Sequence, residues 1–154
     1  RRSGQGIASP GADDGSREGK TVQDRPTALE LLREVERFLQ QEVAPGEEGA
    51  RRFRAAVAAN ALRIVRRELE QADEHLLREW EVLDRLLGAE PLPPGRRAQE
   101  EALRRRVEEV CRRIRAGEAD EDGPFRRALL SFLWLLTRHK LQVNDPGWLE
   151  RPRA

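Results

Sequence analysis

The sequence predicts an all-α fold: a single-domain bundle of about five helices over residues 24–150, behind a disordered N-terminal tail over residues 1–23. Three observations carry that prediction. Leu, Ala, Glu and Arg dominate, Tyr and Met are absent, and 37% of residues are charged, a composition suited to helices with ion-paired outer faces. Apolar residues recur at three- and four-residue spacing rather than alternating. Proline and glycine cluster at a few points and divide the chain into helix-length pieces. At 154 residues there is room for one modest core.

Taken in order, the tail RRSGQGIASPGADDGSREGK has almost nothing to bury against the entropy of ordering it. It also begins without Met, and Val22 read from a GTG codon is an alternative start. Thr27, three residues before Glu30 and just behind Pro26, forms a capping box and opens the first helix. Leu31, Leu32, Val35, Phe38, Leu39 and Val43 form its apolar stripe, which ends at Pro45-Gly46. A second helix spans about Glu48 to Gln71 with Phe53, Val57, Ala61, Ile64 and Val65 inward. A third spans about Asp73 to Leu87, using Leu76, Trp80, Leu83, Leu86 and Leu87. Pro91 to Gly95, PLPPG, is a connector no helix crosses. The fourth helix runs to about Ala116 on Leu103, Val107, Val110, Cys111 and Ile114. The fifth, from Pro124 to about Lys140, uses Phe125, Leu129, Phe132, Leu133 and Leu136. Short connectors imply antiparallel neighbours. After the turn Asn144-Asp145-Pro146-Gly147, Trp148 and Leu149 are expected to fold back as an apolar clip.

Charge and cysteine content narrow the function. The formal net charge of +1 and pI near 8.2 supply no global field toward nucleic acid or an anionic membrane. Cys111 is the only cysteine, so neither an internal disulfide nor a cysteine zinc cage forms within one chain, and a reducing compartment is expected. The uncharged run from Leu129 to Thr137 is far shorter than the ~20 residues of a membrane span, and the N-terminus lacks a signal-like apolar core. The expectation is a soluble, cytoplasmic protein without a membrane partner or cofactor.

The candidate site rests on two polar residues in an apolar stripe. In FRAAVAANALRIVRREL, residues 53–69, Glu68 falls between Val57 and Ala61 on a helical wheel, and Asn60 lies at the stripe's edge beside Ile64. Both are expected to be at least partly buried, and a buried carboxylate needs a charged or hydrogen-bonding partner. Lys140 and His139 near the end of the fifth helix are candidates, as are Arg63, Arg67 and His75; the following turn brings Asn144 near Lys140. The simpler role for this group is to hold packing register. The sharper one is a ligand-binding site of Asn60, Glu68, Lys140 and Asn144 able to hold a small polar group or move a proton.

Other chemistries find less support. Two histidines, without paired Glu-x-x-His motifs, do not make a di-iron site, and no metal site is expected. There is no Gly-rich phosphate loop and no nucleophile elbow, and Cys111 on an apolar stripe is packing, so no catalytic residue is assigned. Arg104 to Arg106 sit in a helix whose Glu100, Glu101, Glu108 and Glu109 stand four residues from arginines, a paired surface lattice. Arg51, Arg52, Arg54, Arg63, Arg66 and Arg67 are less compensated but lack an aromatic platform, which leaves a nucleic-acid role as the weakest alternative. Leu130 and Trp134 point away from the fifth helix's stripe and form a candidate contact patch, for a homodimer or for docking on a larger enzyme.

Three segments, QDRPTALELLREVERFL, AAVAANALRIVRREL and HKLQVNDPGWL, together resemble a bacterial family of small helical proteins classed as a domain of unknown function. The resemblance covers about Gln23 to Leu149. It implies an accessory role in acyl-CoA or hydroxy-acid catabolism, because members of that family are often encoded beside acyl-CoA dehydrogenases and kinases similar to aminoglycoside phosphotransferases. It carries over no catalytic residue.

Overall fold

A computed structural model describes residues 25–151. The predicted tail, and with it the Val22 start, lies outside the described residues. Helix α1 spans Ala28–Phe38. The Thr27 hydroxyl accepts from the Glu30 amide at 3.2 Å, and the Glu30 carboxylate accepts from the Thr27 amide at 2.7 Å, the reciprocal cap its spacing encodes. The chain continues through a π-helical turn, Leu39–Val43, into a short α2, Ala44–Gly46. The widened turn, in which the Ala44 amide donates to the Leu39 carbonyl, immediately precedes Pro45, which has no amide to donate.

The expected second and third helices are one. Helix α3 runs unbroken over Gly49–Leu87, 39 residues, or about 58 Å at helical rise. Nothing at the expected boundary stops it: Gln71, Ala72 and Asp73 include neither proline nor glycine. Helix α4 is Arg96–Arg115, α5 is Pro124–Asn144 and α6 is Gly147–Glu150. Among the described residues there is no strand, and the fold is all-α.

Helix α3 is the spine of the molecule. Its N-terminal half packs on α1, and its C-terminal half on α4 and α5. The core lies in that second half, where Leu83, Leu86, Val110, Leu129 and Phe132 are buried together, each contributing about 1.5–3 kcal/mol by leaving water. Leu133 and Ile114, expected inside, are exposed, because three helices enclose only one seam. Trp148 and Leu149 are exposed as well; α6 is a single turn that does not clip back over the core.

Arg106, read from sequence as part of a surface lattice, is buried instead. Its guanidinium donates to Asp84 Oδ1 at 2.6 Å and to the Gly88 carbonyl at 2.7 Å. It also lies 4.6 Å from the Trp80 ring centroid. Gly88 leaves α3 at φ 103°, a conformation open chiefly to glycine, and the Trp80 indole donates to the Glu90 carbonyl. One cation thus closes the corner between α3 and α4.

Candidate functional site

Helices α3, α4 and α5 together line a groove of about 430 Å³. Its floor is apolar, from Ile64, Ala72 and Leu76 of α3 to Leu136 and Val143 of α5. Its walls carry Glu68, Arg96, Lys140 and Asn144. Arg96 is held by Glu100 and Asp73. Among the described residues, Glu68 and Lys140 make no ion pair.

At one side of the groove both of the chain's histidines meet. The rings of His75 and His139 stack with centroids 3.8 Å apart and planes 7° apart. His139 is buried, and its Nδ1 lies 2.8 Å from Glu79 Oε1, so the proton sits on Nδ1 and the carboxylate accepts it. Burial holds the His75 pKa below its ordinary 6.5, and the neighbouring His139 ring adds to the effect. Among the described residues no three His, Cys, Asp or Glu side chains are placed to hold a metal ion.

Three of the four predicted ligand-binding residues, Glu68, Lys140 and Asn144, line this one groove; Asn60 does not. The expectation that Asn60 and Glu68 are buried is overturned, since both are exposed. The cause is the side of α3 that α1 covers. Ala55 and Ala59 are buried there, and Arg63 and Arg66 donate to Glu36 of α1 at 2.9 and 3.1 Å. The stripe carrying Val57, Val65, Glu68 and Leu69 faces elsewhere and is open.

Helix α1 shows the same inversion. Glu36 is 9% exposed, whereas Leu31 and Val35 are each 47% exposed and Phe38 is equally open. Burial pushes the Glu36 carboxyl up, but the hydrogen bonds and charges of Arg63 and Arg66 outweigh it and hold the pKa below 4.5. The sequence did contain a signal: Leu32, Glu36, Leu39 and Val43 are spaced four, three and four residues apart, placing Glu36 on an inward line. The pairing of His139 with Glu79, sixty residues away, had no local signal.

Leu130 and Trp134 lie on the side of α5 remote from α3, and Trp134 is 61% exposed. The arginines of α3 are partly committed within the chain: Arg63 and Arg66 to Glu36, Arg66 also to Glu70, and Arg67 to the Asn144 carbonyl. Cys111 is half-buried.

A family model described as a domain of unknown function, DUF6285, matches residues 45–148. The chain belongs to the DUF6285 family. The DUF6285 match takes in α3, α4, α5, the groove and the histidine pair, and starts after α1. No curated protein and no solved structure matches the chain.

No helix among the described residues is long and apolar enough to cross a membrane.

Proposed function

We propose that this DUF6285 chain is a non-catalytic accessory protein of the bacterial cytoplasm that docks on an enzyme through the outer face of α5. The observation that supports this reading is the placement of Leu130 and Trp134, four residues apart on one side of a helix and both more than half exposed. A tryptophan with an adjacent leucine is the kind of anchor that dominates protein interfaces. The partner class comes from the family resemblance: an acyl-CoA dehydrogenase or a kinase similar to aminoglycoside phosphotransferases, in acyl-CoA or hydroxy-acid catabolism. Binding of the purified chain to each enzyme, by interferometry, tests it. The expected result is saturable binding to one of them that Trp134→Glu weakens at least tenfold, about 1.4 kcal/mol. Absence of binding to both, or binding indifferent to that change, refutes it.

A second reading has its own support in the groove, where Glu68, Lys140 and Asn144 converge over an apolar floor. Opposite charges across such a floor suit a small polar or zwitterionic molecule. Thermal shift with CoA esters tests that reading: stabilisation abolished by Lys140→Met supports it, and no stabilisation counts against it.

A further inference from the structure

We infer that the outward stripe of α3 is covered by a second copy of this chain, with the two α3 helices antiparallel about a two-fold axis near Ala61 and Glu68 paired to Arg54 of the other copy. The inference is independent of the α5 docking face. It starts from the stripe's own symmetry. An antiparallel pairing centred on residue 61 sets residue 57 beside 65, 54 beside 68 and 53 beside 69. In this sequence those pairs are Val57 with Val65, Arg54 with Glu68, and Phe53 with Leu69. Apolar thus meets apolar and cation meets anion, twice each by symmetry, which is what an isologous contact demands. All six side chains are exposed. Within the described residues neither Arg54 nor Glu68 has an ion-pair partner, and the small Ala61 at the centre lets two backbones approach closely.

Helix α1 extends the same face. Its Arg33 and Gln40 reach Glu70 and Arg63 on one flank of α3. Its apolar edge of Leu31, Val35 and Phe38 therefore emerges on the opposite flank, the one where α3 presents Val65 and Leu69. These five residues and Val57 are 43–52% exposed, roughly 500 Å² per copy, so full coverage of both copies buries up to about 1,000 Å² of apolar surface, the size at which specific interfaces begin. Two helical hairpins meeting by such faces make a four-helix arrangement, the ordinary way to bury two apolar stripes at once. Residues 1–24 do not suffice as a cover, since Ile7, Pro10 and Val22 are their only apolar residues larger than alanine. The groove between α4 and α5 runs into this stripe at Ile64 and Glu68, giving the N-terminal end of the partner helix a continuous track.

Sedimentation equilibrium of the full chain tests the pairing. Wild type is expected at twice the 17.6 kDa chain mass. Arg54→Glu and Glu68→Arg each create like-charge contacts and are expected to weaken the dimer about tenfold or more. The double variant R54E/E68R restores opposite charges and is expected to return within about threefold of wild type. Helical circular dichroism checks that each variant folds, which the exposed positions favour. A monomeric wild type at high micromolar concentration overturns the inference. A dimer that ignores both single changes, or that the double swap does not rescue, overturns it equally, the latter pointing to another mode of contact. Trp134→Glu should leave the dimer intact, which separates this outcome from failure of the α5 docking reading.

Discussion

Replacing Arg106 with methionine should be among the most damaging single changes to this fold. The side chain is 1% exposed and satisfies three neighbours from one position: the Asp84 carboxylate, the Gly88 carbonyl and the Trp80 ring. Methionine preserves most of the volume and the apolar contact with Trp80, so the loss is electrostatic. Removing one partner of a fully buried ion pair costs about 3–5 kcal/mol. Asp84 retains 29% exposure, so water recovers part of that cost, while the orphaned Gly88 carbonyl and the lost cation–π contact add about 1–2 kcal/mol. The net expectation is about 2–4 kcal/mol, which at roughly 3–5 °C per kcal/mol for a domain of this size lowers Tm by about 6–20 °C. Urea unfolding at fixed protein concentration measures it, with the m-value unchanged because the same surface is exposed. Arg106→Lys keeps the charge without the forked geometry and should fall between. A loss below about 0.5 kcal/mol for the methionine variant would mean that Arg106 does not close the α3–α4 corner, and the reasoning would fail.

Phe132→Ala, in the seam of α3, α4 and α5, should cost about 3–5 kcal/mol by opening a cavity in the buried cluster; chemical denaturation measures it, and a loss under 1 kcal/mol would contradict the burial. Stability should also fall on the acid side in two steps. The pKa of His75 is depressed from 6.5, so its contribution is complete above pH 6.5 and is lost as pH falls through the lowered folded value; His75→Gln should flatten that step. The pKa of Glu36 is depressed from 4.5, so its contribution is complete above pH 4.5 and lost below it, and Glu36→Gln should remove the lower step. Melting temperature followed from pH 8 to 3 reads both, and a flat wild-type profile above pH 4.5 would contradict the histidine step.

Helix ends and the main core were legible in the sequence because both depend on local rules. Thr27 and Glu30 encode a cap within four residues, Pro91 to Gly95 forbids a helix, and Leu83, Val110, Leu129 and Phe132 follow the helical period. The misplaced elements share a different cause. Periodicity identifies the apolar side of α1 but not whether the chain's own α3 covers it, and here a charged side won because Glu36 finds two arginines 27 and 30 positions away. The same distance hid Arg106, whose partners stand 22 and 18 positions earlier. As for the proposed site, Glu68, Lys140 and Asn144 line one groove and Asn60 lies outside it, while the expected burial of Asn60 and Glu68 failed with the orientation of α1. The continuity of α3 was missed because the apolar stripe shifts near Ala72 without any residue that breaks a helix.

The inverted packing and the two-copy face both turn on which side of α1 faces α3, and thiol accessibility reads that directly. In a chain carrying Cys111→Ser, and Glu68→Arg to keep the proposed pairing from covering the face, Val35→Cys and Glu36→Cys are labelled separately with a maleimide under native conditions. The expected result is rapid labelling at position 35, near the rate of the unfolded chain, and labelling at least tenfold slower at position 36. Fast reaction at 36 with protection at 35 would mean that α1 buries its apolar stripe against its own α3, and both the inverted packing and the two-copy face would have to be abandoned.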